Sequence, residues 1–297
     1  MKGHGVTLVN GVEANNIAVQ DRGLAYGDGV FETIALRQGQ VQLWQGHCER
    51  LAKGLTALGI IHHSSSLKPF VNTLANNVQR ACGLYNDEHP GQDGVIKITV
   101  TRGIGGRGYL APEETSPTSI VSVMPWPTGR ETLPVSGVHA HLCQHPWSSN
   151  ASLVGLKHLN RLDQVIARNE WQDTLIHEGL MLNSDGLVIS GVMSNVFIER
   201  NGELITPLLN TSGIHGVMAQ HIRNLAASIN VTIHTQAITL LDVYNADGVF
   251  LTNSLNGIWP LVKLDTGNTW PITELTRSLQ AKLDVSLEQQ VQVVDLC

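Results

Sequence analysis

The sequence predicts an α+β protein in two domains, on three observations. Strand-like and helix-like segments mix in both halves without the regular βαβ alternation of a doubly wound sheet. A stretch rich in Pro, Thr and Ser over residues 116–129, with Pro125-Trp126-Pro127 at its centre, interrupts the chain. The length, 297 residues, suits two domains of about 150 residues each. The expected division is a small N-terminal α+β domain over 1–123, a linker over 124–130 and a larger domain over 131–297.

The elements follow in order. Val6 to Val9 followed by Asn10-Gly11 reads as a strand entering a tight turn, because Asn and Gly tolerate the positive φ such turns need. Val30 to Leu36 and Val41 to Leu43, joined by Gln38-Gly39-Gln40, read as a hairpin. Leu51, Leu55 and Leu58 give residues 44–60 a helical stripe, and a second helix covers 67–82. Residues 94–100 are a strand. In the second half a helix runs to about Glu170, and two strand pairs turn at Asn183-Ser184-Asp185-Gly186 and Arg200-Asn201-Gly202-Glu203. Ile214, Val217, Met218, Ile222 and Leu225 mark a helix over 214–229, with Thr211 and Ser212 placed as caps. Residues 249–252 form a strand ending in Asn253-Ser254-Leu255-Asn256-Gly257.

Composition narrows the function classes. A net charge of −6 argues against a general nucleic-acid or anionic-membrane binder. Cys48, Cys82, Cys143 and Cys297 show no paired CxxC spacing, which suits a reducing compartment. The start has no apolar signal region, and no 18-residue apolar run occurs, so a soluble cytoplasmic protein is expected.

Lys157, in Gly155-Leu156-Lys157-His158-Leu159-Asn160-Arg161-Leu162, is the leading catalytic candidate. A lysine behind an apolar stretch and ahead of a helix can be partly desolvated, which favours the neutral amine that condenses with aldehydes. Gly103-Ile104-Gly105-Gly106-Arg107-Gly108 satisfies GxGxxG, but two prolines stand where a dinucleotide fold needs its helix. The segment reads instead as a loop presenting Arg107 and Tyr109, a guanidinium fork and a phenol suited to a carboxylate. His139, His141, Cys143 and His145 alternate along a strand and would share one face, yet span too far for one tetrahedral metal site. His62-His63 reads as a loop, and no GxSxG elbow supports serine hydrolysis. The segment after Thr211-Ser212-Gly213 and the run Thr252-Asn253-Ser254 each have a capping or turn explanation; with Arg50 they could also cup a phosphate.

Taken together, Asp21-Arg22-Gly23-Leu24-Ala25-Tyr26-Gly27-Asp28-Gly29-Val30-Phe31-Glu32-Thr33, His47-Cys48-Glu49-Arg50-Leu51, Lys157 and Ser194-Asn195-Val196-Phe197 resemble the fold type IV (class IV) pyridoxal-phosphate enzymes. That family includes branched-chain and D-amino-acid aminotransferases and 4-amino-4-deoxychorismate lyase. The segments 101–109 and 155–161 are most similar to the lyase of folate biosynthesis. The matching motifs run from about residue 10 to residue 260. The resemblance implies a small α+β domain, a larger domain around a barrel-like sheet, and a homodimer with its active site near the interface. It makes Lys157 the lysine joined to pyridoxal 5'-phosphate and Arg50 the phosphate ligand. Ile214 and His215 would add backbone donors at a helix start, and Asn253 and Ser254 the remaining phosphate contacts. Arg107, Tyr109 and Phe31 would meet the substrate, the first two often across the dimer interface.

One position departs from the family pattern. Ser190 stands seven residues before Phe197, where the family carries a glutamate at the pyridine nitrogen. A serine supplies no charge to a pyridinium, so the ring should be a weaker electron sink. Elimination that forms an aromatic ring should tolerate this better than transamination. The expected reaction is therefore conversion of 4-amino-4-deoxychorismate to 4-aminobenzoate and pyruvate, with Lys157 as base and then acid. The alternatives are an aminotransferase of the same fold, recognised by sustained amino exchange, and a non-catalytic cofactor- or metal-binding protein, recognised by retention without turnover.

Overall fold

The computed structural model describes residues 5–61, 64–114 and 116–289. His62, His63 and Cys297 lie outside them. The chain forms two compact units: one runs to Pro127 and takes in Leu156–Asn160, the other comprises Thr128–Gly155 and Arg161–Gln289.

The first unit holds strands β1 (Val6–Val9), β2 (Val12–Glu13), β3 (Gly29–Arg37), β4 (Gln40–Val41), β5 (Gly94–Thr101) and β6 (Thr118–Pro125), with helices α1 (Arg22–Tyr26), α2 (Trp44–Ala57) and α3 (Ser64–Glu88). The sheet order is β2-β1-β6-β5-β3-β4, antiparallel throughout. Val30, Ile34 and Leu36 project at the strand period into one core with Leu51 and Leu55 of α2 and Leu74 of α3. The Asn10-Gly11 turn is as expected, with φ of 50° and 78°. Two elements go beyond the sequence reading. Strand β6 lies inside the Pro/Thr/Ser-rich stretch, because Val121 and Val123, two residues apart, face one side and fill the core. Helix α1 is too short for a periodic signal and is set by its ends: Asp21 accepts from the Gly23 amide, and Gly27 closes it at φ 65°.

The second unit holds α4 (Leu133–Ser136), β7 (Val138–Leu142), α5 (Leu162–Arg168), β8 (Ile176–Leu182), β9 (Val188–Gly191), β10 (Asn195–Arg200), β11 (Glu203–Pro207), α6 (Val217–Ser228), β12 (Ile233–Gln236), α7 (Leu240–Tyr244), β13 (Gly248–Asn253), β14 (Gly257–Leu264) and α8 (Glu274–Glu288). Its eight-stranded mixed sheet runs β12-β11-β10-β13-β14-β7-β8-β9. The edge strand β9 also packs beside β10 and β11, so the sheet curls. One core lines the inside of that curl, drawing Val138, Leu180, Val188, Val196, Ile205 and Leu261 from strands along the sheet. This is the larger domain with a barrel-like sheet, and the fold class is α+β as expected. Helix α6 departs from expectation at its start: Gly216 is its N-cap, no side chain caps it, and Thr211 and Ser212 lie outside the helix. Ile214 is instead paired to Gly155 in an isolated bridge.

Candidate active site

Lys157 is fastened through its main chain. The short strand β4 leaves the Gly29 end of β3 with an open edge, and residues 157–159 lie along it. The Phe31 amide donates to the Lys157 carbonyl at 2.9 Å and the Leu159 amide donates to the Gly29 carbonyl at 2.9 Å. His158 and Val30 form the bridge between these bonds. An edge strand's unpaired polar groups are thereby satisfied and the lysine is held in register. Its side chain is half-buried, with Nζ 4.3 Å from the centroid of the Phe31 ring. Phe31, expected to meet substrate, thus lies under the amine and contributes a cation–π contact.

On the opposite, core-facing side of β3 stands Glu32, 1% exposed between Val30 and Ile34. A charge there must be paired or it would cost several kcal/mol, on the order of 3–5 when a buried partner is removed. Helix α2 supplies the partners at i, i+3: His47 Nδ1 lies 2.7 Å from Glu32 Oε2, and Arg50 donates Nε to Oε1 at 2.8 Å and Nη2 to Oε2. Burial pushes the Glu32 carboxyl up, but the Arg50 charge and hydrogen bonds, with His47, overcome it and bring it down to about 2. Burial lowers His47 more than Glu32 raises it, with the charges of Arg50 and Lys157 adding to the drop. His47 is therefore neutral and donates Nδ1–H to the carboxylate; its buried Nε2 makes no hydrogen bond. Arg50, the expected phosphate ligand, is anchored by this triad.

The glycine-rich segment is a loop without a helix, as expected. Its base is stitched by an Asp21–Ile104 bridge, and Arg107 and Tyr109 are exposed at its tip.

In the second unit Gly155 and the segment before α6 are joined: the Gly155 amide donates to the Gly213 carbonyl at 3.0 Å and the His215 amide to the Gly155 carbonyl at 3.2 Å. Gly155 has φ 80°, and a Cβ there would also meet the His215 ring at 3.1 Å. A Cβ on Gly216 would lie 1.9 Å from Asn195 Oδ1, so only glycine admits the asparagine whose Nδ2 donates to the Ile214 carbonyl. The His215 amide, expected as a backbone donor at the helix start, donates to the Gly155 carbonyl, and the helix itself begins at Val217. Asn253 turns inward on structure: Nδ2 donates to the Met193 carbonyl and Oδ1 accepts from the Leu255 and Asn256 amides. Ser254 is half-buried, and the neighbouring Thr252 Oγ1 is buried with no partner.

Ser190 is 3% exposed and donates its hydroxyl to the Gly191 carbonyl at 2.7 Å. Register pairs Met181 with Ser190 and Leu180 with Gly191, so Glu178 shares the face of Leu180 and Gly191, opposite that of Ser190. Glu178 accepts from the Met193 amide and Ser194 hydroxyl, holding the turn before Asn195, and burial raises its carboxyl to about 7 despite these donors.

The histidine-bearing strand serves structure. β7 ends at Leu142; Val138, Ala140 and Leu142 pack into the core of the curled sheet, while His141 and Cys143 both meet Trp171 on the other face. His141 lies between Asp265 and Glu170, and His145 meets Asp163 at 3.1 Å. Burial pushes Asp163 and Glu170 up, and N–H donors more than reverse it, leaving both below the ordinary range. Among the described residues no group of three or more His, Cys, Asp or Glu is placed to hold a metal ion.

Glu32 and His47 lie inside the family motifs, yet the sequence reading gives them no role. Their signal is an acid at a core position of an alternating strand, answered by a His and an Arg three apart on the next helix.

The chain is similar along its length to known proteins. Residues 29–264 match the family model for class IV amino-transferases. An aminodeoxychorismate lyase of Vibrio harveyi is 32% identical, across 93% of this chain and 98% of that protein. A D-alanine aminotransferase of Bacillus licheniformis is 26% identical, across 91% and 92%. The crystal structure of 4-amino-4-deoxychorismate lyase from Pseudomonas aeruginosa superposes with a TM-score of 0.87 at 40% identity, covering 95% of this chain and 100% of that one. With its two-unit α+β architecture, its edge-fastened Lys157 and this full-length likeness, the chain belongs to the class IV amino-transferase family.

Proposed function

We propose that this chain is a pyridoxal-phosphate-dependent lyase converting 4-amino-4-deoxychorismate to 4-aminobenzoate and pyruvate, acting as a cytoplasmic homodimer. The observation that carries the reading is Lys157, pinned by its backbone to β3 with its amine over Phe31. Likeness to two lyases across nearly the whole chain supports the same reaction.

Each unit carries donors that suit a phosphorylated aldehyde. Lys157 offers the amine, Arg50 an anchored guanidinium, and the second unit an uncapped helix start, the Ser254 hydroxyl and the orphan Thr252 Oγ1. Ile214, His215 and Asn253 shape that second set through the bonds described above, and Ser190 is assigned to the ring nitrogen. When bound, pyridoxal 5'-phosphate supplies an aldehyde for the substrate amine and a ring that draws electrons from the adjoining carbon.

Lys157 takes the proton from the amine-bearing carbon. The carbon–oxygen bond breaks with its electron pair leaving on oxygen, and Lys157 returns the proton to the departing enolpyruvate, giving pyruvate. One fixed amine serves both transfers because it already lies against the reacting carbon. Arg107 and Tyr109 hold a substrate carboxylate. Ser190, uncharged, favours this aromatising elimination over transamination.

Helix α5 supports the homodimer: it buries Gln164 and Ala167 but leaves Leu162, Val165 and Ile166 74%, 51% and 48% exposed. An apolar helix face of this kind fits a second copy.

Incubation of the cofactor-loaded protein with 4-amino-4-deoxychorismate, following pyruvate and 4-aminobenzoate, tests the reading. Equal release of both is expected. Amino exchange with a keto acid and no pyruvate would make it an aminotransferase.

A further inference from the structure

Arg22 is a buried cation outside the Lys157 machinery, 4% exposed on the short helix α1. Its guanidinium makes three hydrogen bonds in two directions. Nε donates to Asp28 Oδ2 at 2.9 Å, while Nη1 donates to the Gly108 carbonyl and Nη2 to the Tyr109 carbonyl, each at 3.0 Å. The guanidinium carbon also lies 4.8 Å from the centre of the Tyr26 ring, and that ring meets Tyr109 edge-on at 5.5 Å. A Cβ on Gly105 would lie 2.4 Å from Arg22 Cδ, so the loop's backbone runs directly over the arginine stem.

A second arginine explains how Arg22 can reach the loop. Arg102 takes both oxygens of Asp28, through Nε at 2.7 Å and Nη2 at 3.0 Å, and its Nη1 and Nη2 donate to the Gly59 and Leu58 carbonyls beyond α2. Asp28 is thus anchored to the body of the unit by Arg102 and serves as the fixed post from which Arg22 extends. Burial pushes the Asp28 carboxyl up, but the hydrogen bonds and charges of the two arginines hold it below its ordinary range. The planar fork then presents two N–H groups to two successive carbonyls, which a lysine's single ammonium cannot match.

We propose that Arg22 is the positioning residue of the substrate-carboxylate loop, clamping residues 108–109 so that the Arg107 guanidinium and Tyr109 phenol keep one presentation. The proposal rests on the reading of Arg107 and Tyr109 as carboxylate ligands. Arg22 touches neither substrate nor cofactor. It lowers the cost of ordering an exposed loop at the moment of binding, so its loss falls on KM rather than on kcat.

The test uses the cofactor-loaded enzyme with 4-amino-4-deoxychorismate and the variants Arg22→Lys, Tyr26→Ala, Arg107→Ala and the double variant Arg22→Lys/Arg107→Ala. Arg22→Lys keeps the charge beside Asp28 and is expected to raise KM about tenfold, with kcat within about threefold and the visible cofactor absorption unchanged. Trypsin cleavage after Arg107 should become faster, because a protease needs the loop locally unfolded. In the Arg107→Ala background the KM effect of Arg22→Lys should shrink to less than about twofold, as coupled residues are non-additive. Tyr26→Ala leaves both ion pairs intact; it should accelerate cleavage after Arg107 and carries the test if Arg22→Lys does not fold. A fall in kcat or a bleached cofactor with KM intact, an equal KM effect with and without Arg107, or unchanged cleavage in the variants overturns the clamp. If Arg107→Ala alone leaves KM unchanged, the carboxylate reading fails, and the cleavage rates still decide whether Arg22 holds the loop.

Discussion

Replacing Glu32 with Gln removes one charge from the most buried ionic cluster of the first unit while keeping the side chain's shape. The Arg50 side chain is 10% exposed and that of His47 1%, so neither can turn to water for a replacement partner. Gln offers one acceptor and one donor where three donors converge, and at least one N–H is left unsatisfied. The size of the loss follows from linkage: a carboxyl brought from 4.5 to about 2 on folding contributes about 3 kcal/mol at neutral pH. Because the folded pKa is the lower one, this stability is present above 4.5 and is lost as pH falls toward 2. By pH 3 about 60% of it is gone on that linkage. Equilibrium urea unfolding of wild type and Glu32→Gln between pH 7 and pH 3 should therefore show a gap of about 3 kcal/mol narrowing to about 1. Hydrogen exchange of the β3 amides reports the first unit separately, since a chain of two units need not unfold in one step. A gap below about 1 kcal/mol at pH 7, or one that does not change with pH, would refute the pairing of Glu32 with Arg50 as the chief source of that stability.

Other substitutions probe the remaining parts. Lys157→Ala should abolish pyruvate release and the borohydride-trappable visible chromophore; retained turnover would remove Lys157 from the reaction. Ser190→Glu should raise transamination relative to elimination, measured as keto-acid exchange per pyruvate formed, and an unchanged ratio counts against Ser190 at the ring nitrogen. Glu178 has the opposite sign from Glu32: with its carboxyl raised from 4.5 to about 7, its favourable contribution is present below 4.5 and lost as pH rises through 7. Wild type should lose up to about 3 kcal/mol between pH 4.5 and pH 8 that Glu178→Gln retains, and parallel urea curves for the two proteins over that range would defeat this.

Much of the fold can be read locally. Turns at Asn10-Gly11 and Asn201-Gly202 are legible because Asn and Gly favour positive φ, and the structure holds all four there. The core stripe of α2 is visible from Leu51 and Leu55. What escapes depends on partners distant in sequence. Strand β6 is hidden by flanking prolines, although Val121 and Val123 show the strand period. The start of α6 is misread because Thr211 and Ser212 resemble caps, while a bridge from Ile214 to Gly155 holds that segment extended. The alternating histidines suggest a metal-binding face, and only the fold reveals that His141 is answered by Glu170 and Asp265 and His145 by Asp163. At the site, motifs point to Lys157, Arg50, Arg107 and Tyr109. They do not point to the supports behind them, Glu32 and Arg22, because a buried charge declares its purpose only through the groups that neutralise it.

The five residues Leu156–Asn160 belong to the first unit, although the sequence on either side of them belongs to the second. The Lys157 amine is thus borrowed, threaded onto the edge of a strand laid down far earlier in the chain. A fragment ending at Pro127 would lose the lysine together with the backbone that closes the Gly29 edge of β3, and the complementary fragment would carry the lysine without its Phe31 platform. Splitting the gene at the apparent border should yield two crippled pieces, so the lysine and the integrity of the first sheet are inherited together.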